Sequence, residues 1–210
     1  MGVLIGGPKK EIMNLQFLGD ALDHWKGSVF EELQHSSLLK DFRVDAMASD
    51  SEKWEQIDYR LYARLLRVKQ AQLIVHKNAL SGDRKKYFNE IPAIGDLFLD
   101  PDTGFKTGKV RTSSHYLIVA ELCDLLKRNK DRVIAVYQHV RAKRTRDRVE
   151  EVLRALRSEK VRFFCTSYES GTVALLFFGS EPERIAAIRA HFCAFLDRHA
   201  ENRIGHWNGS

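Results

Sequence analysis

"DLFLDPDTG", residues 96–104, decides how this chain is read. Leu97, Phe98 and Leu99 form an apolar triplet that runs straight into Asp100-Pro101-Asp102-Thr103-Gly104. An apolar run bounded by turn residues is the pattern of a short strand buried on both faces. Its abrupt end has two explanations. Asp, Pro and Gly suit any chain leaving a strand. Equally, ligands of open α/β sheets bind at the carboxyl ends of the strands, where a carboxylate reaches them.

Working outward, the periodicity alternates. Leu18, Leu22, Trp25, Val29 and Leu33 recur at helical spacing, and "RVDAMAS" (43–49) alternates like a strand. Trp54, Ile57, Leu61, Leu65 and Val68 mark a second helix, followed by "QLIVHK" (72–77) as a strand. Downstream of "DLFLD", Tyr116, Val119, Ala120, Cys123 and Leu126 make a helical stripe, "VIAVYQHV" (133–140) a strong β run, and Val149, Val152, Leu153 and Leu156 another helix. "VRFFCTSY" and "TVALLFFG" then flank Glu169-Ser170-Gly171, the length and composition of a hairpin. A closing helix carries Ile185, Ile188, Phe192, Phe195 and Leu196. Strands alternating with helices imply a mostly parallel sheet covered on both faces, with the hairpin adding an antiparallel strand. The expected architecture is a single α/β domain over residues 15–205, a three-layer Rossmann-like sandwich of about six strands, after a loose tail at 1–14.

With 44% hydrophobic and 30% charged residues, the 210-residue chain is ordinary for a globular protein. No stretch approaches the roughly 18 apolar residues of a membrane span, so no membrane partner is expected. Cys123, Cys165 and Cys193 lie far apart in apolar surroundings, which suits reduced core thiols and a cytoplasmic location. A net charge of +6 leans toward an anionic partner such as RNA or DNA. "HVRAKRTRDR" (139–148) concentrates that charge in Arg141, Lys143, Arg144, Arg146 and Arg148 just after a strand. The run is either a solvated face or a phosphate contact, for which Arg141, Lys143 and Arg144 are the candidates.

Three polar segments converge, on this reading, at one sheet edge. In "GDALDHWK" (19–26), Asp23 and Lys26 are helical neighbours flanking the apolar stripe. Asp20 and Asp23 also suit a helix N-terminus, and Asp23 with Lys26 suits a surface pair. In "LFLDPDTG", Asp100 and Asp102 are turn residues, catalytic acids, or oxygen ligands for a divalent cation. In "YQHVRAKR", Gln138 and His139 lie near a strand end. The expectation is that Asp20, Asp23, Lys26, Asp100, Asp102 and His139 surround one cleft, with Lys26 paired to Asp23 or Asp100.

The order "FLGDALDHWKGSVFEEL", a strand, then "DLFLDPDTG" resembles the RNA adenine-N6 methyltransferases that modify large-subunit ribosomal RNA, of class I. Gly19, Asp20, Asp23 and Lys26 match the spacing of that family's helical Ala-Gly-Asn-x-x-Asp-x-x-Lys segment, and Asp100-Pro101 match half of its Asp-Pro-Pro-Tyr. An uncharacterised bacterial family with GDxxDxxK, FLDPDxG and YQHxxR in that order is also similar. The methyltransferase resemblance implies S-adenosylmethionine (SAM) as cofactor and Asp100 as acceptor for the amino group being methylated, with His139 and Lys26 beside it. It also implies Asp45 or Asp50 at the cofactor site, residues Gly19 to Lys26 closing over it, and the basic run on the phosphate backbone. Asp102 and Thr103 stand where the family has Pro and Tyr, and no Gly-x-Gly follows a strand. Two alternatives are therefore carried. One is a metal-dependent nuclease or phosphoesterase with Mg²⁺ or Mn²⁺ on Asp100 and Asp102. The other is a non-catalytic Rossmann-like binding module.

Overall fold

The computed structural model describes residues 18–48, 53–108 and 114–208. The expected tail at 1–14 and Asp50 lie outside these residues. The elements are α1 (Ala21–His35), β1 (Arg43–Asp45), α2 (Gln56–Leu65), α3 (Arg84–Asn89), β2 (Leu97–Leu99), β3 (Gly104–Lys106), β4 (Tyr116–Ile118), α4 (Val119–Arg128), β5 (Ile134–His139), α5 (Thr145–Ser158), β6 (Phe164–Ser170), β7 (Val173–Gly179), α6 (Pro182–Leu196) and β8 (Ile204–Asn208). The main sheet has the order β1-β2-β5-β7-β6-β8. Its β1-β2-β5 half is parallel, and the β5-β7, β7-β6 and β6-β8 pairings are antiparallel. β3 and β4 form a small parallel ribbon of their own.

Period-two alternation sends the strand residues to two cores. Leu97, Leu99, Ile134, Val136, Leu176 and Phe178 pack with α3, α4 and α5. Phe98, Val133, Ala135, Leu175 and Phe177 pack with α1, α2 and α6. Helices therefore cover both faces, and the sheet is mixed rather than mostly parallel. The excess of antiparallel pairing comes from β8, a short strand in "NRIGHWN" that the periodicity does not announce and that runs past the expected end at residue 205.

Other differences have local causes. The strand expected at 43–49 stops at Asp45, because its carboxylate accepts the Met47 N–H at 2.8 Å and Met47 turns to φ +47°. The strand expected at 72–77 contributes a single bridge, Val44 to Leu73. Beyond Ile74 the backbone turns away, and Glu90 holds the Lys77 N–H at 2.8 Å. Tyr116 begins β4 rather than the helix, which starts at Val119 with Glu121 accepting the Ile118 N–H. In α2 the buried face is shifted from the expected stripe: Tyr62, Ala63 and Leu65 point inward while Ile57 is 61% exposed.

Two glycines fix approaches that the site needs. A Cβ on Gly27 would lie 2.0 Å from the Leu65 carbonyl oxygen, so only glycine lets α1 cross the end of α2 at this distance. Gly104, at φ +99°, has the Gln138 carboxamide 2.5 Å from where its Cβ would be. That buried carboxamide accepts the Phe105 N–H at 2.9 Å and donates to the Thr103 carbonyl at 3.1 Å, pinning the loop that follows β2.

Gly27→Ala should cost about 1–3 kcal/mol, the scale of overpacking a closed contact. Gly108→Ala, with nothing near its Cβ position, should stay within about 0.5 kcal/mol. Urea denaturation of the two variants checks the contrast.

Candidate functional site

β1 and β2 end side by side, the Asp100 N–H donating to the Asp45 carbonyl at 3.0 Å. Because Asp100 continues the alternation one residue beyond Leu99, the partner of Asp45, the two carboxylates leave the edge on opposite faces. The carboxyl edge thus carries two polar clusters, one about Asp100 and one about Asp45.

On the α1/α2 face, Asp100 receives the Lys26 ammonium at 3.0 and 2.8 Å and the Tyr62 hydroxyl at 2.6 Å. Lys26 also donates to Asp23 at 3.0 Å and lies 4.4 Å from the centre of the Tyr137 ring. Asp23 in turn accepts the Gly19 N–H at 2.9 Å. Asp20 caps α1, accepting the N–H groups of Leu22 and Asp23 at 2.8 and 3.1 Å. Asp23, Lys26 and Asp100 are only 6%, 6% and 3% exposed.

One ammonium serves two buried carboxylates, and that imbalance sets the electrostatics. Burial alone would push the Lys26 ammonium toward neutrality, but Asp100 and Asp23 overcome it and hold its pKa above the ordinary lysine value. Burial raises Asp100; Lys26 and the hydrogen bonds from Lys26 and Tyr62 oppose this, whereas Asp23 adds to it, leaving the carboxyl harder to ionise than usual. Burial and then Asp100 raise the Tyr62 phenol, which stays a donor.

The other expected residues lie around this network without sharing its hydrogen bonds, Asp102 within electrostatic reach of Asp100 and Lys26, and His139 of Asp20. Asp102 turns to His115, with Oδ2 2.7 Å from Nδ1; burial raises its pKa while His115 works against that. His139 lies at the rim, 6.4 Å from Tyr137 between ring centres, and is not hydrogen-bonded to Asp100. Burial and then the neighbouring Arg141 lower its pKa. In the basic run, Lys143 meets Glu151 at 3.0 Å, Arg144 meets Asp147 at 3.0 Å and Arg146 meets Glu169 at 3.1 Å. Arg141 is exposed and, among the described residues, has no ion-pair partner.

The second cluster lies on the α3 face. Asp45 accepts from the Tyr87 hydroxyl at 2.6 Å and lies 3.0 Å from His76 Nε2. His76 stacks on Tyr87 with ring centres 3.6 Å apart and planes 17° from parallel. A cavity of about 10 Å³ remains beside Asp45, Ala46, Ala48, Tyr59 and His76. Neither Asp20 nor Asp23 lines it.

Sequence reading missed Tyr62, Tyr137, His76, Tyr87 and His115. Tyr62 was legible in principle, since it stands three residues before Leu65 on one helical face; the others depend on contacts distant in sequence. The metal reading finds no shared donor set, because Asp100 faces Lys26 while Asp102 faces His115. Among the described residues no group of three or more His, Cys, Asp or Glu is gathered as a metal site requires.

No family model and no curated protein matches the chain. Among solved structures it is similar to the crystal structure of protein LPL1258 from Legionella pneumophila str. Philadelphia 1, of family model DUF519, at 12% identity and a TM-score of 0.42. The likeness covers 80% of this chain, which spans about 60% of the length of that one. Among the described residues no helix is long and apolar enough to cross a membrane.

Lys26→Met leaves two buried carboxylates without a cation and should destabilise by about 3–5 kcal/mol. Combined with Asp100→Asn the loss should fall short of the sum of the single effects, by about 0.5–3 kcal/mol in a denaturation double-mutant cycle. The pH dependence has a definite sign. With the folded Lys26 pKa above its ordinary 10.5, the stabilisation is fully present below that pH and is lost as pH rises through the folded value. Above about pH 10.5, and not below it, the wild type should therefore lose stability with rising pH more steeply than Lys26→Met in urea denaturation.

Proposed function

We propose that this chain is a methyltransferase-like α/β protein of Rossmann-like architecture, acting on an amino group of a nucleic-acid base. The observation that carries the reading is the Asp100 carboxylate. It stands at the end of β2, where sheet ligands bind, and is met by N–H and O–H donors from Lys26 and Tyr62. The Lys26 ammonium satisfies Asp100 as a base amino group would, and the rest of the network holds the acceptor in one orientation. The parallel β1-β2-β5 half and the following antiparallel hairpin support the same reading, as does the net charge of +6. Arg141 is the residue best placed for a phosphate, with Lys143 and Arg144 reaching one only by exchanging acidic partners.

SAM is tested against the Asp45 cleft by its donor set. A carboxylate for an amino or hydroxyl group, two alanines that allow close approach, and the rings of Tyr59 and Tyr87 suit an adenosyl amino acid. Asp45 and Tyr87 would hold its adenosyl part only once the cleft, about 10 Å³ as it stands, had widened, and when bound it would supply an electrophilic methyl group. The chain's own part is to exclude water, to accept an amino N–H on Asp100 and to keep Lys26 protonated beside it.

A second reading, a binding module without catalysis, is favoured by the size of the cleft. Its volume of about 10 Å³ is far below the roughly 300 Å³ or more of ordinary ligand pockets.

Thermal denaturation with SAM separates the two readings. A ligand at a hundred times its Kd should stabilise by about 2.7 kcal/mol. Asp100→Asn should remain folded and lose methyl transfer to RNA or DNA by about 10²-fold or more. A wild type that binds nucleic acid but neither binds SAM nor transfers methyl leaves the second reading.

A further inference from the structure

β8 closes the sheet at the edge far from β1 and β2. The strand Ile204–Asn208 carries no lysine or arginine of its own. Burial and then Arg189 lower the pKa of its His206, which leaves that ring neutral at neutral pH. Five arginines instead reach the strand from its neighbours. The Arg146 guanidinium, from α5, lies 5.6 Å from the centre of the Trp207 ring. Burial raises the thiol of Cys165, the strand partner of Trp207, and Arg157 from the last turn of α5 opposes that rise. Arg162 lies 5.4 Å from the ring centre of Phe164, which pairs with Asn208. Arg189 adjoins His206 from α6, and Arg203 leads into the strand. Arg157, Arg162, Arg189 and Arg203 are exposed and, among the described residues, have no acidic partner. Glu169 is already taken by Arg146 and Ser167.

A charged rim is one way to keep an edge strand from pairing with another chain. Trp207 goes beyond that need. Its indole fills the space of a Cβ on Gly205, which would lie 1.9 Å from the ring, so the strand gives up a side chain to seat it. A guard against pairing needs no aromatic surface. A half-buried indole beside unpaired guanidiniums is what a base and its phosphates need.

We propose that the β8 edge is a docking surface for single-stranded nucleic acid, with Trp207 as the stacking platform for one base and Arg157, Arg162, Arg189 and Arg203 as phosphate contacts. An unpaired base offers the indole a free face that a duplex does not, which selects the single-stranded form. The Arg203 carbonyl accepts the Glu169 N–H at 2.8 Å, which puts Arg203 at the carboxyl end of β6. β6 runs parallel to β5 and β2, so this is the sheet edge that carries Asp100. Four strand spacings, roughly 19 Å, separate β8 from β2, and the exposed Arg141 follows β5 between them. The class of partner rests on the proposed reading; the location of the surface does not.

The probe is a fluorescein-labelled oligouridylate of about 12 nucleotides, within the span of one such site, titrated into the full chain by anisotropy at several salt concentrations. Arg157→Gln, Arg189→Gln and Arg203→Gln combined should weaken binding and reduce the slope of log K against log salt by about 2, at about 0.7 for each phosphate contact. The same change of charge by Lys69→Gln, Lys85→Gln and Lys130→Gln, exposed on other elements, should leave the slope unchanged. Trp207→Leu should weaken binding about tenfold at every salt concentration. Equal losses from both triple variants, wild-type binding by Trp207→Leu, or no binding by the wild type overturns the proposal. So does a duplex of the same length bound as tightly as the single strand, or polyglutamate bound more tightly, which marks an acidic protein partner. Should Trp207→Leu not fold, an oligonucleotide bearing iodouridine is photo-crosslinked to the wild type. A crosslink at Trp207 supports the surface, and crosslinks confined to other elements overturn it. Binding that follows these variants in a protein inert to SAM keeps the surface and ends the methyltransferase reading. Methyl transfer to RNA by a wild type whose affinity ignores them keeps that reading and ends the surface.

Discussion

The site depends on one ammonium held between two buried carboxylates. Removing Asp23, Lys26 and Asp100 from water carries a large desolvation cost, offset only when charge and hydrogen bonds are matched in place. The arrangement around Lys26 meets that demand. Asp23 is fixed by the Gly19 N–H, Asp100 by Tyr62, and the ammonium by the face of Tyr137. Gly27 permits the helix crossing that brings α1, with Lys26 on it, against α2, with Tyr62 on it. Apolar side chains of similar volume would give a simpler core, so the cluster is weak evidence for stability.

The two ends of the parallel half make the contrast plain. At the opposite edge, Asp96 is also buried, but its oxygens are consumed by structural donors: the Lys40 N–H at 2.6 Å, the Val133 N–H at 2.8 Å and Arg184 at 2.7 Å. Arg132 nearby donates to the carbonyls of Gly95 and Ile94 at 2.5 and 2.8 Å. Those groups tie loops together through backbone N–H and carbonyl groups and the Arg184 guanidinium. At the carboxyl edge Asp100 is met by the side chains of Lys26 and Tyr62, and Asp45 by those of Tyr87 and His76 besides the Met47 N–H.

Strand alternation also explains why the polar residues divide. Asp45 and Asp100 end neighbouring strands, yet register puts them on opposite faces, so one belongs with α3 and the other with α1 and α2. His139 shares the Asp100 face but lies further out, beyond Tyr137. Gln138, one residue earlier, points the other way and serves the loop after β2. A single-residue step in a strand is enough to separate a rim histidine from a structural carboxamide.

By itself, the sequence determined the elements whose signal is local and strong. β2, β5, the β6–β7 hairpin and the helices α5 and α6 follow from apolar runs and 3.6-residue stripes, because burial on a fixed period leaves a mark in one stretch of chain. The pairing of Lys26 with Asp23 was legible for the same reason, being three residues apart on a helix, and its second partner Asp100 was named as an alternative. Tertiary structure alone decided that Lys26 takes both carboxylates, that Tyr62 joins them, that Asp102 belongs to His115, and that His76 lies against Asp45. It also decided that "QLIVHK", a good strand by pattern, leaves the sheet after one bridge, and that "RIGHWN" joins the edge as β8. These outcomes rest on which distant side chain supplies a missing charge or hydrogen bond, a balance struck between segments and therefore written in no single one of them.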